Sequence, residues 1–370
     1  MASTTHEADH RPWRTIAIVG GAGVVLWVLV WLVAAVIVPE AELAECTGIQ
    51  FRAGEPPAGT GSGDRPPPIG GTGGIAGAVR AAFRGDQAAI YCNDFADPFV
   101  LRVGGDYYAY STNTGSERIP VLTSGGLFGT ARRTEALANL PGWAAPGTVW
   151  APSVLARPGG YVLYYATALA EDPQRQCLSL ATSTSPAGPF VDNSTSPLVC
   201  PSGGGAIDAS PFVDADGRAY LLWKNYGDVD GIVAQELTAD GLGLVGPVHE
   251  LLRADQGWEA GLIEAPSMVA GDGRYYLFYS GNDWNTANYA IGYAVCDSPS
   301  GPCTKPADGP WLASTDKAQG PGGEEVFLDD QGQPWLVLHA WVHGKVGYPN
   351  GARNLFVVRL DFVNGLPVAA

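Results

Sequence analysis

The chain has 370 residues, enough for one large domain or two ordinary ones. It contains 50 glycines and 29 prolines but only 2 methionines, and 10% of its residues are aromatic, a profile typical of many short strands joined by turns. The formal net charge is −16, without a basic block that could neutralise phosphates, so the composition disfavours a nucleic-acid-binding protein. We interpret the acidity as a soluble surface.

The N-terminal part of the chain predicts export and a membrane anchor. Residues 15–38 carry no charge and are long enough to cross a bilayer as a helix. Arg11 and Arg14 precede this segment and glutamates follow it, so the positive-inside rule keeps residues 1–14 in the cytoplasm and exports the rest. A cleaved signal peptide is the alternative, but the apolar segment is long for one and no strong cleavage site follows.

The segment after the anchor predicts a flexible linker over residues 39–75, because glycine and proline dominate most of it and large apolar residues are scarce. Six cysteines agree with an extracytoplasmic location, where disulfides persist. They form no Cys-x-x-Cys motif, so a zinc site is disfavoured. Sequence alone leaves the connectivity open, and the expected pairs are Cys296 with Cys303, Cys177 with Cys200, and Cys46 with Cys92.

Residues 76–370 predict an all-β domain, a five-bladed β-propeller, because one pattern recurs five times. Each copy has an apolar segment, a Gly-containing turn and a strand rich in Tyr, Trp, Leu and Val, which together indicate a β-hairpin. Copies lie 54 to 60 residues apart, the size of a four-stranded blade with its loops. A β-sandwich of unrelated hairpins would leave this spacing unexplained. The copies begin at Asp97, Ala151, Ser210, Ala265 and Glu325.

Acidic residues near the start of three copies are the candidate catalytic groups: Asp97, Asp208 and Glu264. The innermost strands of a propeller point their ends at a common channel, so we expect these side chains to converge. The second copy has Trp150 at the matching position. Each acid alone is well explained as a turn cap, but three at one phase of the repeat are not. Three carboxylates beside an indole that can stack on a sugar ring indicate a carbohydrate site.

The segments around these residues resemble the hallmark segments of family 43 glycoside hydrolases. They are Ala-Asp-Pro at Asp97, Trp150-Ala-Pro-Ser, Ile207-Asp208-Ala-Ser-Pro-Phe and Glu264-Ala-Pro-Ser, and the resemblance covers residues 91–367. The family is a five-bladed propeller that hydrolyses arabinofuranosyl or xylosyl linkages with inversion. The resemblance implies that Asp97 is the general base, that Glu264 is the general acid, and that Asp208 raises the acid's pKa and positions it.

These implied roles agree with elementary acid–base chemistry. An inverting hydrolase needs one ionised carboxylate to activate water and one protonated carboxyl to assist the leaving oxygen. Burial and the negative charge of Asp208 are both expected to raise the pKa of Glu264 toward neutrality. Glu259 is a rival acid, but it lies outside the phase of the repeat.

Further residues are candidates for substrate binding, although structural roles are as easily assigned to them. Three candidates are aromatic residues whose rings could stack on a sugar. Two are polar residues at the end of the inner segment of the third copy. The last two resemble residues of the final blade that line the family's site. These candidates are Trp150, Phe95, Trp284, Lys224, Asn225, His339 and Arg353.

The expected hydrolysis requires no cofactor. Many family members carry a His after a Gly-Pro-Gly segment of the last blade, beside the propeller axis and in some cases a calcium ion. Here Gly320-Pro-Gly-Gly is followed by Glu324 and Glu325. A structural calcium therefore stays open, since an acidic pair can itself favour a hard cation.

Three functions remain open from the sequence. The first is an arabinofuranosidase, arabinanase or β-xylosidase, acting on chain ends or within a polysaccharide or oligosaccharide. The second is a lectin-like propeller that binds sugar without hydrolysis, which would gain nothing from an acid with a raised pKa. The third is a fructan-processing propeller, which Asn93-Asp94 faintly resembles, although no Arg-Asp-Pro segment accompanies it.

Overall fold

A computed structural model describes residues 89–128, 131–342 and 344–370. Five antiparallel sheets, here called blades 1 to 5, follow one another along this part of the chain. Blade 1 contains β1 (Phe99–Val103), β2 (Asp106–Tyr110), β3 (Pro120–Ser124) and β4 (Arg132–Glu135). Blade 2 contains β5 (Ala144–Arg157), β6 (Gly160–Leu169) and β7 (Gln176–Ser183).

The other three blades have four strands each. Blade 3 contains β8 (Ala206–Val213), β9 (Ala219–Tyr226), β10 (Asp230–Leu237) and β11 (Leu244–Leu252). A 3₁₀ turn (Gly257–Glu259) precedes blade 4, which contains β12 (Ile263–Gly271), β13 (Arg274–Gly281), β14 (Ala290–Cys296) and β15 (Cys303–Thr304). Blade 5 contains β16 (Ala318–Leu328), β17 (Pro334–Val342), β18 (Arg353–Val363) and β19 (Leu366–Ala369).

Within each blade the strands pair in chain order, so every blade is an up-and-down meander built from consecutive hairpins. Two-residue turns with left-handed backbone set the register of two hairpins, at Asp272-Gly273 and Asn364-Gly365. Asp272 and Gly273 have φ of 48° and 73° between the paired residues Gly271 and Arg274. Two successive positive φ values match the right-handed strand twist, which is why an Asp-Gly pair stands here.

The hydrophobic core consists of five clusters, one between each pair of neighbouring blades. Adjacent residues of one strand serve different clusters: Phe99 packs toward blade 2, whereas Val100 packs against Phe327 and Val337 of blade 5. This follows from the alternation of side chains across a strand, which buries both faces of every blade. The cluster between blades 5 and 1 closes the ring, and the innermost strands β1, β5, β8, β12 and β16 contact one another in that order. The prediction of an all-β, five-bladed propeller is confirmed.

Two of the expected disulfides are present, Cys177–Cys200 in the blade 2 region and Cys296–Cys303 between β14 and β15. Cys46, the expected partner of Cys92, lies outside the described residues. The predicted anchor, residues 15–38, and the predicted linker, residues 39–75, lie outside them as well. Among the described residues no helix has both the length and the apolar character needed to cross a membrane.

Candidate active site

A bulge near the propeller axis in four of the innermost strands determines which side chains reach the site. β5, β8, β12 and β16 lose their pairing register where they approach the axis. At this bend each blade has a residue with left-handed backbone, with φ between 43° and 58°: Asp97, Ala151, Asp208, Ala265 and Gly323. This conformation is costly for residues other than glycine, and bulges of this kind re-aim side chains beside functional sites.

The three acids were predicted at equivalent positions of the repeat, but the structure shows that Glu264 is offset by one residue. Asp97 and Asp208 are themselves the left-handed residues of blades 1 and 3, whereas Glu264 precedes Ala265 and therefore corresponds to Trp150 of blade 2. The three carboxyls nevertheless come together, because the re-aimed strand presents both positions to one pocket.

Hydrogen bonds between neighbouring blades stabilise four of these left-handed positions. In each case the backbone N–H of the left-handed residue donates to a side chain of the blade before it. The pairs are Asp97 to His339 Nδ1 (3.0 Å), Ala151 to Thr112 Oγ1 (3.0 Å), Ala265 to Asp208 Oδ2 (2.9 Å) and Gly323 to Ser280 Oγ (2.9 Å). A buried N–H without an acceptor is costly, so these side chains are part of the site's scaffold.

A pocket of about 470 Å³ lies at this end of the axis and is lined by Asp97, Asp208 and Glu264. Trp150, Trp284 and Arg353, three of the predicted substrate-binding residues, line the same pocket. The Arg353 guanidinium lies over two neighbouring rings, 4.7 Å from the Trp284 centroid and 5.6 Å from that of Tyr348. One aromatic wall is therefore fixed by a buried cation, while the indole of Trp150 forms part of the wall contributed by blade 2.

The other predicted binding residues do not line this pocket. Phe95 is fully buried between blades 1 and 5, with its ring 5.5 Å from that of Tyr91. Asn225 is used inside blade 3, where it donates to the Val229 carbonyl at 2.6 Å. Lys224 lies behind the wall, where its ammonium pairs with Asp230.

His339 is also buried and acts from behind the pocket. Its Nδ1 accepts the Asp97 N–H, so the ring proton is on Nε2. Burial lowers the pKa of His339 to about 3, which makes the imidazole neutral at ordinary pH. Its contact with the Asp97 carboxylate is therefore polar and not an ion pair.

The environment of Asp97 favours its ionised form. Burial alone would raise its pKa, but the Arg353 guanidinium, 3.3 Å from Oδ1, and the hydroxyl of Thr112 on Oδ2 lower the pKa below its ordinary value. Asp97 is consequently held in its carboxylate form with a fixed orientation.

The environment of Glu264 and Asp208 has the opposite effect. Burial is the main cause that raises the pKa of Glu264, to about 7. Burial and the nearby charges of Glu264 and Asp97 raise the pKa of Asp208 well above its ordinary value. Two neighbouring carboxyls cannot both ionise without strong repulsion, so the pair retains a proton near neutral pH. The pocket thus combines a carboxylate with an undissociated carboxylic acid.

Glu259, the rival acid, lies outside the pocket in the 3₁₀ turn before blade 4. It is completely buried, and its carboxylate accepts hydrogen bonds from two backbone N–H groups, from Tyr279 and from the Lys305 ammonium. A carboxylate so fully engaged has no free oxygen to offer a substrate, and its contacts are those of a structural ion pair.

Several residues in or beside the pocket were not among the predicted site residues. Asp94 lines the pocket, and its carboxylate accepts hydrogen bonds from the Tyr348 hydroxyl at 2.6 Å and from the Arg353 N–H at 2.9 Å. Tyr289 donates to Glu264, and Tyr226 lies over Lys224 with its ring 4.6 Å from the ammonium. Most of these residues lie in loops or at strand ends, where no repeat marks them, so only their aromatic or acidic character was available as a signal.

A small cavity on the axis, lined by residues of all five blades, adjoins the pocket and contains Glu324 and Glu325. Glu325 accepts a hydrogen bond from Ser210 at 3.0 Å, and burial raises its pKa to about 8. Glu324 accepts one from Ser280, while its Oε1 has no hydrogen-bond partner. In the part of the chain that the structure describes, no three His, Cys, Asp or Glu side chains are grouped as metal ligands. An axial calcium stays a prediction.

The closed propeller and its pocket of opposed carboxyls define a carbohydrate-hydrolysing class of enzyme, and sequence comparison specifies the family. Residues 88–367 match the profile of Glycosyl hydrolases family 43. The chain belongs to this family and is a glycoside hydrolase.

Individual relatives agree with this assignment. A β-D-galactofuranosidase of Aspergillus niger is 28% identical over 262 residues, which cover 66% of this chain and 73% of the relative. An extracellular endo-α-(1→5)-L-arabinanase of Bacillus subtilis is 26% identical over 295 residues, 73% of this chain and 86% of the relative. The crystal structure of a thermostable family-43 glycoside hydrolase has a TM-score of 0.67 at 28% identity and covers 75% of this chain and 93% of its own.

Proposed function

We propose that the protein hydrolyses O-glycosidic bonds in arabinose- or xylose-containing polysaccharides and oligosaccharides with inversion at the anomeric carbon. Asp97 is the general base, Glu264 is the general acid, and Asp208 raises the pKa of the acid. The observation that carries this proposal is the opposed pKa shift within one pocket, lowered at Asp97 and raised at Glu264. An inverting mechanism needs these two protonation states at the same time.

On one face of the sugar, Asp97 accepts a proton from a water molecule as the water oxygen attacks the anomeric carbon, in the same step in which the bond to the leaving oxygen breaks. Arg353 and Thr112 orient its two carboxylate oxygens, so the base is fixed before substrate arrives. The buried Arg353, with its pKa raised further by Asp97, stays charged throughout.

On the opposite side of the sugar, Glu264 donates its proton to the leaving oxygen as the bond from that oxygen to the anomeric carbon breaks. Asp208 accepts the N–H of Ala265, the residue after Glu264, which holds the two carboxyls in a fixed relation. The products contain the atoms of one added water, and Glu264 and Asp97 return to their starting states through proton exchange with solvent.

The substrate class rests on the pocket and on the relatives. Trp150 and Trp284 offer indole surfaces suited to a sugar ring, as in other carbohydrate sites. Relatives are named for α-L-arabinan, xylan and β-D-galactofuranoside. A galactofuranosidase is therefore the second candidate function, favoured by the name of the Aspergillus niger relative.

Two weaker alternatives remain testable. A lectin-like propeller would have no use for the opposed protonation states of Asp97 and Glu264. In a fructan-processing enzyme Asp94 would be the nucleophile, but here its oxygens already accept hydrogen bonds from Tyr348 and Arg353. The protonation states of Asp97 and Glu264 and the hydrogen bonds on Asp94 therefore both favour glycoside hydrolysis by Asp97 and Glu264.

We also propose that the propeller acts outside the cytoplasm, attached to the cell membrane through residues 15–38. The two disulfides support an oxidising compartment. Protease added to intact cells should digest the propeller, and release of the mature chain without its first 38 residues would instead support a cleaved signal peptide.

The test of the function uses the full chain in mild detergent. We would assay aryl α-L-arabinofuranosides, β-D-xylosides and β-D-galactofuranosides, together with arabinan, xylan and arabinogalactan, and follow the anomer first released by NMR. The native protein should release the inverted anomer from at least one substrate, and Glu264→Gln should not. A folded protein that binds one of these polysaccharides but releases no sugar would support the lectin function.

A further inference from the structure

Tyr289 is the side chain that contacts the catalytic acid most directly. Its hydroxyl donates a hydrogen bond of 2.8 Å to Oε1 of Glu264, and both side chains are buried. We propose that Tyr289 is a positioning residue: it holds Oε1 of Glu264 as a hydrogen-bond acceptor and so directs the acid's proton to Oε2, for delivery to the leaving oxygen. This inference rests on the proposed function, because it assigns to Glu264 the role of acid.

The location of Tyr289 is fixed by its surroundings. Its ring is 1% exposed and stacks on His339, with the centroids 5.9 Å apart and an interplanar angle of 11°. Gly322 of β16 passes directly beneath it: a Cβ at this position would lie 2.1 Å from a ring carbon of Tyr289. The ring therefore requires glycine at this position, and it has no room to swing away from Glu264.

The same packing links the acid to the base. His339, on which Tyr289 stacks, accepts the N–H of Asp97 through Nδ1. At Gly323 an added Cβ would meet both the His339 ring, at 2.6 Å, and Asp97 Oδ1, at 2.8 Å. The two catalytic carboxyls are thus held by one column of side chains, in which Tyr289 is the member that contacts Glu264.

The chemistry of a carboxylic acid explains what this contact does. A protonated carboxyl has a single O–H, and a phenol donor on Oε1 occupies that oxygen as an acceptor, which leaves the proton on Oε2. After the proton leaves, Glu264 is a carboxylate and the same hydrogen bond becomes charge-assisted and stronger. Tyr289 therefore stabilises the charge that develops on Glu264 during bond cleavage more than it stabilises the resting acid.

A matched control exists in the same blade. Tyr279 is also buried and donates a 2.8 Å hydrogen bond to a buried glutamate, Glu259, but this glutamate pairs with Lys305 outside the pocket. Tyr279→Phe removes the same hydroxyl chemistry and a comparable amount of stability without touching the acid. Any effect specific to Tyr289→Phe then reports on catalysis.

The first experiment compares Tyr289→Phe with the native protein and with Tyr279→Phe, using full chains and aryl glycosides of graded leaving-group pKa. Loss of a hydrogen bond to the carboxylate should raise the pKa of Glu264, so the basic limb of kcat/KM should move up by roughly one pH unit. For poor leaving groups kcat should fall on the order of tenfold, with little change in KM. Dinitrophenyl glycosides, which need no protonation, should react at nearly the native rate.

A second variant keeps the inference testable if the phenylalanine variant fails to fold. Site-specific 3-fluorotyrosine at position 289 retains the ring and hydroxyl but is a stronger donor, so the basic limb should move to lower pH, opposite to the phenylalanine variant. An unchanged basic limb in either variant, or equal losses for all leaving groups, would overturn the positioning role. The Tyr279→Phe profile should match the native one.

A measurement without substrate distinguishes failure of this inference from failure of the proposed function. Carbon-13 NMR titration of the Glu264 carboxyl, assigned with Glu264→Gln, follows the same pKa in the absence of substrate. If the native protein hydrolyses no glycoside, the proposed function fails, and with it the role in catalysis. An NMR shift of the Glu264 pKa in both variants, in opposite directions, would still establish the hydrogen bond as the control of this carboxyl, and its absence would refute it.

Discussion

Two buried glutamates lie five residues apart, Glu259 in the 3₁₀ turn before blade 4 and Glu264 in β12, and each accepts a 2.8 Å hydrogen bond from a buried tyrosine. Their other partners differ. Glu259 also receives two backbone N–H groups and the Lys305 ammonium, which itself is nearly buried. Glu264 has no such cation bound to it and faces the pocket beside Asp208.

The comparison shows what separates a structural glutamate from a catalytic one at equal burial. Glu259 has a paired charge and no free oxygen, so it locks the 3₁₀ turn against β13. At Glu264, burial without a bound cation favours the protonated form and raises the pKa to about 7. The four predictions that follow test this difference, beginning with the largest expected effect.

Removal of each carboxyl in turn should separate catalysis from stability most clearly. Glu264→Gln should lower kcat by about 10² to 10⁴-fold for substrates with poor leaving groups, because general acid catalysis is lost. Its melting temperature at neutral pH should not fall. Glu259→Gln should retain native kcat at a temperature where it is folded. Comparable activity losses in the two variants would contradict the assignment of the acid.

Lys305→Met should lower the free energy of unfolding, because it leaves buried Glu259 without its cation. Truncating one partner of a buried ion pair costs about 3–5 kcal/mol, since the remaining charge is buried and uncompensated. We expect a large drop in the free energy of unfolding, measured with urea, and native kcat/KM below the transition. A double variant Lys305→Met/Glu259→Gln should recover part of the loss. No recovery would mean that Lys305 acts mainly through its contacts with Arg253 and Asp255.

The stability of the native protein should depend on the protonation of Glu264. Below pH 4.5 this group is protonated in the folded and unfolded states alike, and between about pH 4.5 and 7 only the unfolded state releases its proton. Stability contributed by the raised pKa is therefore present at low pH and lost as pH rises to about 7. Across this pH range the free energy of unfolding of Glu264→Gln should rise relative to that of the native protein, by up to roughly 3 kcal/mol. A constant difference from pH 4 to pH 8 would argue against a raised pKa.

Tyr279→Phe should have the smallest effect. The lost hydrogen bond should lower the free energy of unfolding by about 1–2 kcal/mol and leave the pH profile of activity unchanged. Thermal unfolding and the kcat/KM profile, recorded on one preparation, measure both. A shift of the profile in this variant would show that the two glutamates are coupled, which the structure does not suggest.

The sequence was most informative about the architecture, because a propeller repeats one pattern. Five hairpin signals at regular spacing were sufficient for the blades, and Gly-containing turns for their register. The pairing of Cys296 with Cys303 followed from the short turn between them. These features depend on local periodicity and turn chemistry, which can be inferred from residues close together in the chain.

The site was predicted less completely because its details come from bulges and from contacts between distant residues. A left-handed residue in or just before each innermost strand sets the one-residue offset of Glu264 from Asp97 and Asp208, and alternation alone does not predict it. Tyr289 and Tyr348 reach the site from outside the repeated segments. His339 was chosen as a residue that lines the site, yet its ring lies behind the pocket, where it accepts the Asp97 N–H.

The most direct test of the account is the pH dependence of kcat/KM for the native full-length protein on its best aryl glycoside, since this profile reports the free enzyme's acid and base. Ionised Asp97 and protonated Glu264 predict that activity is highest at mildly acidic pH and declines with a midpoint near 7. The decline should disappear from the residual activity of Glu264→Gln and persist in Glu259→Gln. A basic limb that survives the loss of Glu264, or that vanishes with Glu259, would contradict the assignment.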